Sequence, residues 1–125
     1  MIEAGTTILV LEDEAIIAFA LEDMLAAEGA KVVMAATLEE AAALIEKGGI
    51  ATAVLDVNVH GEKSYVIGEL LRSLDIPFVF ATGYGDTSHP PEFAETPTVS
   101  KPYTHEQVKT AIARAQLALA GGSVG

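Results

Sequence analysis

Ile8-Leu9-Val10-Leu11 is an unbroken apolar run, the pattern of a strand buried on both faces. The polar residues Glu12-Asp13-Glu14 end it, and the period changes. Ile17, Leu21, Met24 and Leu25 recur at helical spacing, with Glu22 and Asp23 on the other side, and Gly29 is placed to stop that helix. Lys31 to Ala35 predicts a short strand whose leading lysine suits a sheet edge. Leu38, Ala41, Ala42 and Ile45 form a second helical stripe, closed by Gly48-Gly49. Ala51 to Val57 predicts another buried strand, followed by a polar loop through Asn58, His60 and Gly61. Ile67, Leu70, Leu71 and Leu74 mark a third helix, and Ile76 to Ala81 a strand with Pro77 near its start. Thr98 to Ser100 is a brief fifth strand. Val108, Ala111, Ile112, Ala115 and Leu119 mark a final helix before a Gly-rich tail from Gly121.

Strands alternating with helices, mostly without hairpin signals, imply right-handed βαβ crossovers and a parallel sheet covered on both faces. The expectation is an α/β fold in one domain over residues 1–125, with its core from about 6 to 119 and a flexible tail over 120–125. Gly83 to Pro97 breaks the alternation where a fourth helix is due. Gly83, Gly85, Pro90, Pro91 and Pro97 leave at most one helical turn, Glu92 to Glu95, with Phe93 as its sizeable apolar anchor. That predicts a mobile segment.

Composition narrows the class. The chain has 125 residues, 50% of them hydrophobic, enough for a proper core. Its 7 basic and 18 acidic residues give a net charge of −11, which disfavours binding to nucleic acid phosphates or an anionic membrane surface. Without cysteine there is no disulfide, thiolate metal site or cysteine nucleophile. The first residues lack a basic region followed by an apolar stretch, and no apolar run approaches the ~20 residues of a membrane span. The expectation is a soluble, cytoplasmic domain.

In an open parallel sheet, ligands bind beyond the carboxyl ends of the strands. Those ends carry Glu12-Asp13-Glu14, Asp56, Thr82 and Lys101. Each has an ordinary structural reading: Asp13 as a helix N-cap, Asp56 as a turn residue, Thr82 as a cap, Lys101 as a solvated lysine before Pro102. Their joint placement points to chemistry. Crowded carboxylates resist ionisation unless a cation is present. Mg²⁺ suits such a site, with Glu12, Asp13, Asp56 and the Asn58 carbonyl as oxygen donors. His60, His89 and His105 lack paired ligand spacing, which disfavours zinc. An aspartate beside a metal, a lysine and a threonine is a good phosphoryl acceptor.

Ile8-Leu9-Val10-Leu11-Glu12-Asp13-Glu14, Val54-Leu55-Asp56-Val57-Asn58, Ala81-Thr82-Gly83 and Ser100-Lys101-Pro102 together resemble the receiver domain of bacterial two-component response regulators. Phe80-Ala81-Thr82-Gly83-Tyr84-Gly85, with the prolines after it, resembles the FAT-GUY subclass. The resemblance runs from Ile8 to about Ala118. It implies a flavodoxin-like (βα)5 fold, a doubly wound five-stranded parallel sheet of order 2-1-3-4-5, with a short or irregular fourth helix. By the same resemblance Asp56 is the phosphoacceptor for a sensor histidine kinase, and Glu12 and Asp13 are the acidic pair that organises Mg²⁺. Asn58 gives its backbone carbonyl, Thr82 is the hydroxyl switch, Lys101 contacts the phosphate, and the Lys101–Pro102 bond is cis. The implied role is signalling rather than enzymatic, by a monomer or weak dimer that changes its binding to a downstream protein or a histidine phosphotransferase.

Two departures stand out. Glu12 replaces the commoner aspartate, lengthening one arm of the metal site. Thr98 occupies the position three before Lys101 where the family carries Tyr or Phe, so the usual aromatic switch has no ring to move. Tyr84 is the candidate substitute and a candidate shield for an acyl phosphate, and ordering of 83–97 would take over the switching. The main alternative is a haloacid-dehalogenase-like, Mg²⁺-dependent phosphatase with an aspartate nucleophile. Its Asp-x-Asp pattern belongs on the first core strand, whereas Asp56-Val57-Asn58 falls on the third. A nucleotide or flavin module cradling phosphate on residues 82–88 lacks the Gly-Lys-Ser/Thr and Gly-x-Gly-x-x-Gly signatures. Intact Asp56, Thr82 and Lys101 argue against a degenerate receiver that only binds partners.

Overall fold

The computed structural model describes residues 2–83 and 89–122. Five strands, β1 (Thr7–Leu11), β2 (Lys31–Ala35), β3 (Thr52–Asp56), β6 (Phe78–Thr82) and β7 (Thr98–Ser100), form a parallel sheet of order β2-β1-β3-β6-β7. This is the flavodoxin-like order 2-1-3-4-5 of its five strands. Among the described residues four α-helices follow the chain as α1 (Ala15–Ala26), α2 (Leu38–Lys47), α3 (Tyr65–Ser73) and α4 (His105–Gly122). Lys31 leads the exposed edge strand β2, as its charge predicts.

Because side chains alternate along a strand, the apolar runs serve two layers. Leu9, Leu11, Ala53, Leu55, Phe78 and Phe80 face α2 and α3, where they meet Ala41, Ile45, Ile67 and Leu71. Ile8, Val10, Val54, Val79, Ala81 and Val99 face α1 and α4, where they meet Leu21, Leu25, Val108 and Ile112. Capping pairs fix two helix starts. Thr37 accepts from the Glu40 N–H at 3.1 Å while Glu40 reaches back to the Ala36 N–H at 2.8 Å, and Thr104 and Gln107 exchange equivalent bonds at the start of α4. Gly29 has φ +87, and a Cβ there would lie 3.0 Å from the Ala4 Cβ, so the turn after α1 needs glycine.

Three expectations change. The polar loop after β3 is a small hairpin, β4 (Asn58–Val59) paired antiparallel with β5 (Glu62–Lys63). His-Gly at its tip lacks the usual Asn-Gly or Asp-Gly signature. The one helical turn expected at Glu92 to Glu95 falls earlier. A single 3₁₀ turn (Pro91–Phe93) docks a fully buried Phe93 beside Tyr65, Phe78 and Phe80, with the Arg72 guanidinium 4.5 Å from its ring centroid. Gly68 makes that approach possible, since a Cβ there would sit 3.1 Å from the Phe93 ring. Finally, α4 runs to Gly122, past residue 120 where the tail was expected to start. Residues 123–125 lie outside the described residues. No helix among the described residues is long and apolar enough to cross a membrane.

Candidate functional site

Strand register assembles the site. Leu11 lies opposite Leu55, so the next residues, Glu12 and Asp56, emerge level with one another. Asp56 lies opposite Ala81 and Thr82 opposite Ser100, which brings Lys101 to the same sheet end. The Lys101 N–H donates to the Thr82 carbonyl at 2.8 Å, and the Lys101–Pro102 peptide is cis.

The Lys101 ammonium bridges two carboxylates, at 2.7 Å from Glu12 Oε1 and 3.1 Å from Asp56 Oδ2. The other Glu12 oxygen accepts the Glu14 N–H at 3.1 Å, and Asp56 Oδ1 accepts the Asn58 N–H at 3.4 Å. Glu12 and Asp56 are buried, whereas Asp13 is partly open to solvent. Burial pushes the Glu12 carboxyl up to about 7, further than its Lys101 and Glu14 bonds pull it down. Burial also acts to raise Asp13, but the His60 N–H and nearby hydrogen bonds outweigh it and hold the carboxyl below its usual value. Burial disfavours the charged Lys101 ammonium, yet Glu12 and Asp56 more than offset this and its pKa is raised.

Asp13, Asp56, Asn58 and Lys101 line an open cavity of about 300 Å³, together with Glu14, His60, Gly61 and Gly83. Glu12 joins this cluster through Lys101. Glu12, Asp13 and Asp56 each offer a carboxylate oxygen, all within 4.8 Å of one another. Three carboxylates against one ammonium leave excess negative charge, and the donors are all hard oxygens, so the residues fit a Mg²⁺ ion. Thr82 is buried, with its hydroxyl donating to the Val99 carbonyl at 3.5 Å rather than lining the cavity.

The ordinary capping role for Asp13 does not hold. Glu14 is the N-cap of α1 without a side-chain cap bond, and Asp13 Oδ2 instead accepts the His60 N–H at 2.9 Å. The histidines are dispersed: His60 near Asp13, His89 between Tyr65 and Thr98, and His105 on Glu28. Sequence reading missed Ser64, fully buried, whose hydroxyl donates to the Asp56 carbonyl at 2.6 Å. A serine before a helix reads as an N-cap, and its side chain makes no such bond here. The Tyr103 hydroxyl is buried without a hydrogen-bond partner, and burial followed by the Glu12 charge pushes its pKa up to about 12. Tyr84 and the rest of the suggested phosphate cradle at 84–88 lie outside the described residues.

No protein-family model matches the chain, and no curated protein matches it. Solved structures do. SdrG from Sphingomonas melonis Fr1 is 43% identical, with a TM-score of 0.78 and coverage of 94% of this chain and 98% of that one. The BeF3-activated conformation of SdrG from Pseudomonas melonis Fr1 is 44% identical, with a TM-score of 0.75 and coverage of 90% and 98%. The PhyR response regulator REC domain of Erythrobacter litoralis is 28% identical, with a TM-score of 0.75 and coverage of 91% and 92%. The chain therefore belongs to the receiver domains of response regulators. It is a signalling domain of the two-component type.

Proposed function

We propose that this receiver is a phosphoacceptor that takes a phosphoryl group from the phosphohistidine of a sensor histidine kinase onto Asp56. The observation that carries the reading is a buried strand-end aspartate, 3.1 Å from an ammonium, opening onto a polar cavity. An Asp56 carboxylate oxygen attacks phosphorus, the P–N bond breaks, and the electron pair leaves with the donor imidazole. Lys101 balances the negative charge that gathers on the phosphoryl oxygens. The Thr82 hydroxyl turns from the Val99 carbonyl to donate to one of them. Mg²⁺, held by Glu12, Asp13, Asp56 and the Asn58 carbonyl, supplies further charge neutralisation when bound. Glu12, longer than the aspartate usual in the family, reaches the site while paired to Lys101.

The output is altered partner binding rather than turnover, and the partner is a downstream protein or a histidine phosphotransferase. Exposed Ile16 and Phe19 on α1, beside a cavity lined by Ile17, Met24, Pro102 and Tyr103, support an apolar docking contact near the site. We place the domain in the cytoplasm, as a monomer or weak dimer. Incubation with a phosphorylated kinase or acetyl phosphate and Mg²⁺ tests the reading. The parent is expected to incorporate acid- and base-labile phosphate, and Asp56→Asn to incorporate none. Undiminished incorporation by that variant refutes the assignment.

A further inference from the structure

Asp13 is held from outside its own strand. The donor is the backbone N–H of His60, at 2.9 Å, at the tip of the β4–β5 hairpin. Val59 pairs with Glu62, leaving His60 and Gly61 as a two-residue loop with φ of 51° and 81°. Positive φ at both central residues is the geometry of a type I′ turn, and it is uncommon for a residue other than glycine. The hairpin is fixed at its base as well. Val59 is buried, the Ser64 N–H donates to the Val57 carbonyl at 2.9 Å, and the Ser64 hydroxyl binds the Asp56 carbonyl at 2.6 Å. One short element thus grips the backbone of Asp56 at one end and the carboxylate of Asp13 at the other.

We infer that the hairpin is the positioning element that sets Asp13 against Asp56 for a divalent cation, acting through the His60 backbone N–H and not through the imidazole. The inference rests on the reading of this cluster as a Mg²⁺ site. Asp13 is the carboxylate that most needs such a support, because its side chain is 19% exposed against 2% and 6% for Glu12 and Asp56. An unsupported exposed side chain must be ordered when the ion binds. With Oδ2 engaged by the hairpin, Asp13 presents its other oxygen in a fixed direction. Outer hydrogen bonds to metal-binding groups commonly change affinity by about 10–100-fold.

The His60 ring also comes near the same oxygen, with Nδ1 3.8 Å from Asp13 Oδ2, so substitutions must separate backbone from ring. His60→Gly keeps the N–H and relaxes the positive φ while removing the imidazole. Gly61→Val places a β-branched residue at φ 81, where a Cβ meets no atom within 4 Å, so its effect is on turn geometry rather than crowding. Mg²⁺ affinity, followed by amide chemical shifts in an NMR titration, is expected within about twofold of the parent for His60→Gly and about tenfold weaker for Gly61→Val. Gly61→Asn, which tolerates positive φ, is expected to recover most of the loss. The same spectra report whether each variant retains the parent fold. A tenfold loss in His60→Gly overturns the inference in favour of a ligating ring, and parent-like binding by folded Gly61→Val overturns it outright. Failure of the parent itself to bind Mg²⁺ refutes the metal reading beneath it.

Discussion

Glu12 carries two opposing demands, being buried yet placed 2.7 Å from an ammonium, and burial prevails, taking its carboxyl from 4.5 to about 7. A raised carboxyl pKa means the folded protein holds the proton more tightly than the unfolded chain does. In metal-free protein, the Glu12 contribution to stability is complete below about pH 4.5 and is lost as pH rises through about 7. Urea unfolding between pH 5 and 8 is therefore expected to find a decline in stability that Glu12→Gln reduces. The same slope in both proteins excludes Glu12 as its source. At this scale the sequence was informative about residue type and silent about surroundings. Glu12, Asp13, Asp56, Asn58 and Lys101 converge from strand ends that periodicity alone can locate. Ser64 and the His60 N–H escaped because one imitates a helix cap and the other is a backbone group carrying no side-chain signal.

The segment from His89 to Pro97 is held by contacts that no local pattern announces. Thr98 Oγ1 donates to the Thr96 carbonyl at 3.1 Å and so accepts from His89 Nε2 at 2.8 Å, leaving Nδ1 to accept from the Tyr65 hydroxyl at 2.8 Å. Thr98, which has no ring to move, instead joins β7 to α3 through this chain. Phe93 adds the apolar anchor, and its partners Tyr65, Phe78 and Phe80 are all distant in sequence. Glycine and proline counts therefore announce the missing helix but not the long-range packing of Phe93. Thr98→Val keeps the shape and removes the hydroxyl. It is expected to speed amide exchange over 89–97 about thirtyfold, as two hydrogen bonds worth about 1 kcal/mol each are lost. Exchange unchanged from the parent means the chain of hydrogen bonds does not hold the segment.

At the scale of the molecule, alternating strand and helix patterns were enough to read a parallel α/β sheet, because such a sheet buries its strands on both faces, while the strand order came with the receiver resemblance. Its crossovers then leave the polar residues that follow β1, β3, β6 and β7 at one sheet end. What the pattern could not supply was register. The level placement of Glu12 with Asp56, and of Thr82 with Ser100, follows from pairing between distant segments. The central proposal is that Asp56 accepts the phosphoryl group. Its most direct test is borohydride reduction of protein freshly phosphorylated in Mg²⁺, which converts an aspartyl phosphate to homoserine, followed by peptide mass mapping. The account predicts homoserine at position 56. Modification at Asp13 with Asp56 intact, or no reducible acyl phosphate in a protein that has taken up phosphate, would contradict it.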